Sequence, residues 1–174
     1  EVPYDSLVLA TGALPSVPPV PGRDLDGITT LQSIRDADYL RKIRDEKKIT
    51  KAVVIGGGLI GIETCEALNL AGIEITVVEL LPQLLSFLDW EMARLVEGHL
   101  RSKSVNVFTG NGLAAFLGEN GRLAAVKLAN GTELPCELAV VAVGVTPNTT
   151  LAREAGLELG AKGALVVNEF MQTS

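Results

Sequence analysis

Residues 51–63, Lys51-Ala52-Val53-Val54-Ile55-Gly56-Gly57-Gly58-Leu59-Ile60-Gly61-Ile62-Glu63, join an apolar run to a G-x-G-x-x-G loop and then to a helical pattern. No other stretch limits the fold as narrowly. A strand that turns sharply into a helix needs a residue without Cβ at the turn, which Gly56 supplies. Gly58 leaves the backbone open to a ligand, and Gly61 lets the helix lie close to the strand. The helix then turns its unpaired N–H groups and the positive end of its dipole toward the loop, which suits an anion such as a pyrophosphate.

The residues downstream extend the same unit. A second apolar run, 73–78, ends in Glu79, eighteen residues past Gly61. A dinucleotide fold places there the acid that bonds the adenosine ribose. Leu80-Leu81-Pro82 follows with no Arg or Lys, so a 2′-phosphate would meet only a repelling carboxylate. NAD(H) is therefore expected in preference to NADP(H).

Composition removes other classes of function. At 47 % hydrophobic and 21 % charged residues, the chain can bury a core. Its net charge of -6 leaves no basic face, and the basic stretch 41–51 is broken by Asp45 and Glu46, so nucleic acid is excluded as a partner. No apolar run approaches the roughly 18 residues that span a bilayer, and the first residues lack a signal-peptide pattern. A soluble, cytoplasmic protein without a membrane partner is expected. The chain lacks an initiator Met and opens close to a strand, and we read it as a piece of a longer protein. Cys65 and Cys136 form no C-x-x-C pair and accompany a single histidine, His99, so no metal site is expected. Cys65, three residues from both Ile62 and Leu68 on a helix, reads as core.

The remaining chain alternates regular elements with turn signals. Residues 4–11 read as a short buried strand, Leu7-Val8-Leu9-Ala10, closing on Thr11-Gly12. Pro15, Pro18, Pro19 and Pro21 with Gly22 then predict a linker that is neither helix nor sheet. Ser33 caps a predicted helix over 33–45, with Asp36 three residues on and Ile34, Ala37, Leu40 and Ile43 on one face. A strand over 52–55, a helix over 59–71 and a strand over 73–78 follow. Asp89 is placed to cap a helix carrying Met92, Leu95, Val96 and Leu100, and 105–108 supplies a strand. Apolar runs at 113–117, 123–128 and 132–134 are separated by Glu119-Asn120-Gly121 and Asn130-Gly131, which are hairpin signals. Residues 138–143 return as a buried strand ending in Gly144. The fold class is α/β: a Rossmann-like parallel sheet flanked by helices, with an inserted three-stranded antiparallel β-meander.

These segments together resemble the NAD-binding domain of the two-dinucleotide flavoprotein oxidoreductases, the pyridine nucleotide-disulfide oxidoreductase superfamily. The resemblance spans essentially the whole chain. It is carried by Ala10-Thr11-Gly12, the Gly56 to Glu63 loop, Glu79, Leu88-Asp89-Trp90-Glu91-Met92-Ala93 and Val143-Gly144-Val145-Thr146-Pro147-Asn148. The segment 88–93 and Thr146-Pro147-Asn148-Thr149 are most similar to the branch of coenzyme A-disulfide reductases, persulfide reductases and NADH oxidases. The resemblance implies a relay in which NADH reduces FAD, and the flavin reduces a disulfide, a persulfide or oxygen.

By the same resemblance only the NADH half lies in this chain. Residues 1–30 would be a linker and edge strand of the missing FAD domain, 31–145 the NAD(H)-binding domain, and 146–174 a return segment toward the FAD domain. The chain alone would not turn over, and it carries no catalytic residue of its own. NADH and the FAD domain of the same chain are the implied partners, with a homodimeric parent and a monomeric fragment.

Carried over by position, Gly56, Gly58 and Gly61 would hold the pyrophosphate and Glu79 the adenosine ribose. Glu63 matches a glutamate near the nicotinamide amide, where it would accept a hydrogen bond. Gly144 and Val145 match the loop flanking the nicotinamide ribose. Leu59 stands where many relatives carry an aromatic that covers the flavin, and Leu59 and Ile60 would give the nicotinamide half only apolar contact. Thr11 and Gly12 match the segment that borders FAD.

Two other readings compete. A self-contained dehydrogenase needs an acid or base near the nicotinamide, yet neither Tyr4 nor Tyr39 is followed by Lys four residues on, and His99 sits among Glu97, Arg101 and Lys103 on what reads as a solvated helix face. A stand-alone module that senses NADH or NAD is the alternative.

Overall fold

Residues 52–55 and 138–141 are apolar at every position rather than at alternate ones, and a strand so written must be covered on both faces. In the computed structural model, which describes residues 2–174, all eight are buried. Glu1, the first residue of the expected N-terminal segment, lies outside the described residues.

In chain order the elements are β1 (Ala13–Pro15), β2 (Ile28–Thr29), α1 (Ile34–Glu46), β3 (Lys51–Ile55), α2 (Leu59–Leu70), β4 (Glu74–Val78), α3 (Trp90–Ser102) and β5 (Asn106–Phe108). There follow β6 (Leu113–Glu119), β7 (Arg122–Leu128), β8 (Glu133–Pro135), β9 (Leu138–Val141), β10 (Val145–Pro147) and α4 (Thr150–Glu154). Two compact units emerge: Pro15–Gly144, and the residues before Pro15 together with Val145–Ser174. The first boundary between the units falls at Leu14/Pro15. Residues 15–30 belong to the larger unit, where β2 joins the main sheet.

That sheet has the order β2-β9-β3-β4-β5 and is parallel throughout, with Val54 opposite both Val77 and Val140. Alternate residues serve the two faces. Ala52, Val54, Ile75, Val77, Leu138 and Val140 pack with Ile43, Cys65, Leu68 and Leu100 of the helices. Val53, Ile55, Val78, Ala139 and Val141 pack with Phe116, Leu123, Val126 and Leu128 of the antiparallel meander β6-β7-β8. The expected Rossmann-like sheet with its inserted meander is present, with α1, α2 and α3 on one face and the meander on the other.

Local signals hold where the chain is self-sufficient. Ser33 accepts the Asp36 N–H while the Asp36 carboxylate accepts the Ser33 N–H at 2.9 Å, a reciprocal capping box on α1. Cys65 and Cys136 are buried free thiols.

Several expectations are corrected. Residues 7–10 form no strand, and Leu7 and Val8 are 64 % and 84 % exposed. A strand exists only through the ladder it shares, and no neighbour pairs with these residues among those described. The strand lies instead at β1, where the expected linker residue Pro15 is included; in the two-stranded sheet β1-β10 every strand is an edge, which tolerates proline. On α1 the inward residues are Tyr39, Leu40 and Ile43, whereas Ile34 and Ala37 are exposed. On α3 the inward residues are Ala93, Val96, Glu97 and Leu100, while Met92 and Leu95 face out. Asp89 occupies the N-cap position of α3 without a side-chain cap bond. The expected strand 138–143 ends at Val141, and Val143 is exposed.

In the smaller unit the Thr11 hydroxyl donates to the Asn148 carbonyl oxygen, and the Asn148 N–H donates to the Gly12 carbonyl oxygen at 2.9 Å. This ties the Ala-Thr-Gly segment to the residues just after β10.

Candidate functional site

Parallel sheets bind ligands at the carboxyl ends of their strands, where the chain order reverses. Here the chain leaves β3 toward β4 and β5 and returns on the opposite side as β9, so the reversal lies at the ends of β3 and β9. The glycine loop follows β3 directly.

Each glycine of the loop meets a different demand. Gly56 has φ +111°, which an L side chain rarely adopts, and a Cβ there would strike the Ala142 carbonyl oxygen beyond β9. At Gly61 a Cβ would run into the Gly56 carbonyl oxygen, so α2 sits on its strand only with glycine at that place. A Cβ on Gly58 would meet nothing within 4 Å. Packing therefore does not require glycine at Gly58, and the space beside its backbone is open to a ligand.

The first intrahelical bond of α2 runs from the Ile62 N–H to the Gly58 carbonyl oxygen at 3.0 Å. The N–H groups of residues 58–61 precede that ladder and face outward from the helix end. With the dipole behind them they form an anion-binding terminus, and α2 carries no acid in its first turn to oppose one.

Glu79 closes one side of this loop. It follows β4 and accepts the Gly57 N–H at 2.6 Å through Oε2 and the Leu81 N–H at 2.8 Å through Oε1. A carboxylate has about four acceptor positions, so two remain. The next residues, Leu80 and Leu81, are exposed, and Leu80 lies against Gly112 of the loop after β5. Leu59 and Ile60 open α2 with their side chains exposed, and Val143 is exposed beyond β9.

The structure brings together Gly56, Gly58, Leu59, Ile60, Gly61 and Glu79, with Gly144 at φ +106° after β9. Glu63 is exposed on α2, past its first turn. Thr11, Gly12 and Val145 belong to the other compact unit. The sequence reading missed Leu84 and Leu85, both buried beside Gly57, because an apolar pair in a proline-marked loop carries no periodic signal.

No group of three or more potential metal ligands occurs among the described residues. Burial pushes both thiols up to about 12, with the neighbouring Glu137 carboxylate adding to the effect at Cys136, so neither supplies a thiolate nucleophile at neutral pH. No helix of the described residues is long and apolar enough to cross a membrane.

Comparison with known proteins agrees with this fold. The family profile described as pyridine nucleotide-disulphide oxidoreductase matches residues 1–174. The chain belongs to that family. Within this pyridine nucleotide-disulphide oxidoreductase family it is 39 % identical to an NADH oxidase of Methanocaldococcus jannaschii, over all of this chain and 38 % of the relative. It superposes on an NAD-dependent persulfide reductase from A. fulgidus with a TM-score of 0.93 and 44 % identity, covering 98 % of this chain and 31 % of that one. A FAD-dependent pyridine nucleotide-disulphide oxidoreductase from Desulfovibrio vulgaris matches with a TM-score of 0.86 and 38 % identity, over 99 % of this chain and 44 % of that one. The chain therefore spans less than half the length of each of these relatives.

Proposed function

We propose that Pro15–Gly144 is the NAD(H)-binding domain of a two-dinucleotide flavoprotein oxidoreductase, and that the smaller unit belongs with its FAD domain. The open space at Gly58, set between the amide-rich end of α2 and the Glu79 carboxylate, carries this reading. Gly56, Gly58 and Gly61 admit the pyrophosphate to the N–H groups that open α2. The two free acceptor positions of Glu79 match the vicinal hydroxyls of the adenosine ribose. A 2′-phosphate would bring a like charge and no donor, so NADH is preferred over NADPH.

Leu59 and Ile60 give apolar contact to the nicotinamide half, Gly144 and Val145 flank its ribose, and Glu63 accepts from its amide. Thr11 and Gly12 border the flavin. Bound NADH supplies the hydride that reduces FAD, and the flavin passes the electrons to a disulfide, a persulfide or oxygen. The residues of this chain bind and orient the donor, and the chain by itself does not turn over. The parent works as a cytoplasmic homodimer, whereas the fragment is monomeric.

Calorimetric titration of the chain with NADH and NADPH tests the reading. Tighter NADH binding is expected, and equal or tighter NADPH binding would overturn the cofactor choice. The chain should also purify colourless, and a co-purifying flavin band would contradict the assignment of the FAD site to a larger protein.

A further inference from the structure

Leu85 is 7 % exposed and has φ +46°, a left-handed conformation uncommon for a bulky side chain. Such a conformation persists only where the surroundings impose it. In it the Leu85 N–H donates to the Gly57 carbonyl oxygen at 2.8 Å, and the Leu85 carbonyl oxygen accepts the Leu88 N–H at 2.8 Å. The adjacent Leu84 side chain, fully buried, occupies the place where a Cβ on Gly57 would stand. The Gly57 N–H is held by Glu79. Both peptide groups of Gly57 are thus fixed by the segment that follows β4.

A trans peptide is planar, so holding the Gly57 carbonyl on one side fixes the Gly58 N–H on the other. We propose that Leu85 is a positioning residue for the phosphate loop: its left-handed backbone seats its N–H on Gly57 and thereby aims the Gly58 N–H at the diphosphate of a bound nucleotide. The proposal rests on the dinucleotide reading above.

Two substitutions separate backbone conformation from apolar packing. Asparagine tolerates the left-handed region but is polar, whereas valine is apolar but, being β-branched, resists it. Affinities of folded Leu85→Asn and Leu85→Val chains for ADP-ribose, which carries the diphosphate, and for adenosine, which does not, are compared by calorimetry. Leu85→Val should lose roughly fivefold to tenfold in ADP-ribose affinity, the effect of about one hydrogen bond, with adenosine affinity nearly unchanged. Leu85→Asn should lose about twofold, although its thermal midpoint falls.

The reverse order, or equal losses for both ligands, would overturn the positioning role while leaving the dinucleotide reading intact. A native chain that binds neither ADP-ribose nor NADH would overturn both. If Leu85→Val does not fold, an amide-to-ester replacement at Leu85 removes the donor alone and must produce the same selective loss.

Discussion

The Gly57 N–H donates to Glu79 Oε2 at 2.6 Å, so the acid at the end of β4 is braced by the glycine loop that it flanks. The bond joins two segments twenty-two residues apart and sets the direction of the carboxylate's remaining acceptor positions.

Replacing Glu79 by alanine removes the proposed ribose acceptor and leaves the Gly57 and Leu81 N–H groups without it. Loss of charge-assisted hydrogen bonds of about 1.5–3 kcal/mol corresponds to roughly tenfold to hundredfold weaker NADH binding. NADPH binding should fall less, so the preference between the two narrows. Undiminished NADH affinity in a calorimetric titration would remove Glu79 from the site.

Gly58→Ala and Gly61→Ala should separate ligand space from packing. The Gly58 backbone has φ -80° and open surroundings, so alanine leaves the thermal midpoint near native while obstructing the nucleotide. Alanine at Gly61 meets a backbone carbonyl and should cost about 1–3 kcal/mol or more of stability as well as affinity. Thermal unfolding beside NADH titration reads both, and equal stability losses in the two variants would contradict the geometry.

Cys65 and Cys136 should resist a thiol reagent in the native chain at pH 8, because burial pushes both up to about 12. Two thiols should react promptly in denaturant. Rapid labelling of either cysteine without denaturant would show that the core around it is open.

Acid should weaken the fold through Glu137 and Asp36. Burial alone would raise Glu137, but the Lys51 and Thr50 N–H groups and the Thr50 hydroxyl outweigh it and hold the carboxyl below its ordinary 4.5. The Gln32 and Ser33 N–H groups hold Asp36 below its ordinary 3.8. The unfolded chain therefore takes up these protons first, and the contribution is complete above about pH 4.5 and lost as pH falls through the folded values. The stability gap between native protein and Glu137→Gln, read from urea midpoints, should be full at pH 7 and close toward pH 3. A gap independent of pH would refute this.

Much of this architecture is written locally. The Gly56-to-Gly61 spacing, the capping box of Ser33 and Asp36, and the Asn-Gly turns each act within a few residues, so the loop, α1 and the meander are legible without tertiary information. The same holds for the continuous apolar runs of β3 and β9. Elements that depend on a distant partner are different in kind. Leu7 and Val8 have strand composition but no strand, because a ladder needs a neighbour. Met92 and Leu95 share helical periodicity with Leu100 yet face outward. Glu97, read as part of a solvated face, is buried between Arg94 at 2.6 Å and Arg101 at 2.9 Å.

The sequence by itself determined that a strand, a glycine turn and a helix would present backbone donors to an anion, since that follows from short-range sterics and the absence of Cβ. Only the tertiary structure decided that Glu79 leans on Gly57, and that Leu84 and Leu85 reach the loop from behind. Those contacts close between chain segments more than twenty residues apart, where neither spacing nor propensity carries information and the fold alone sets the distance.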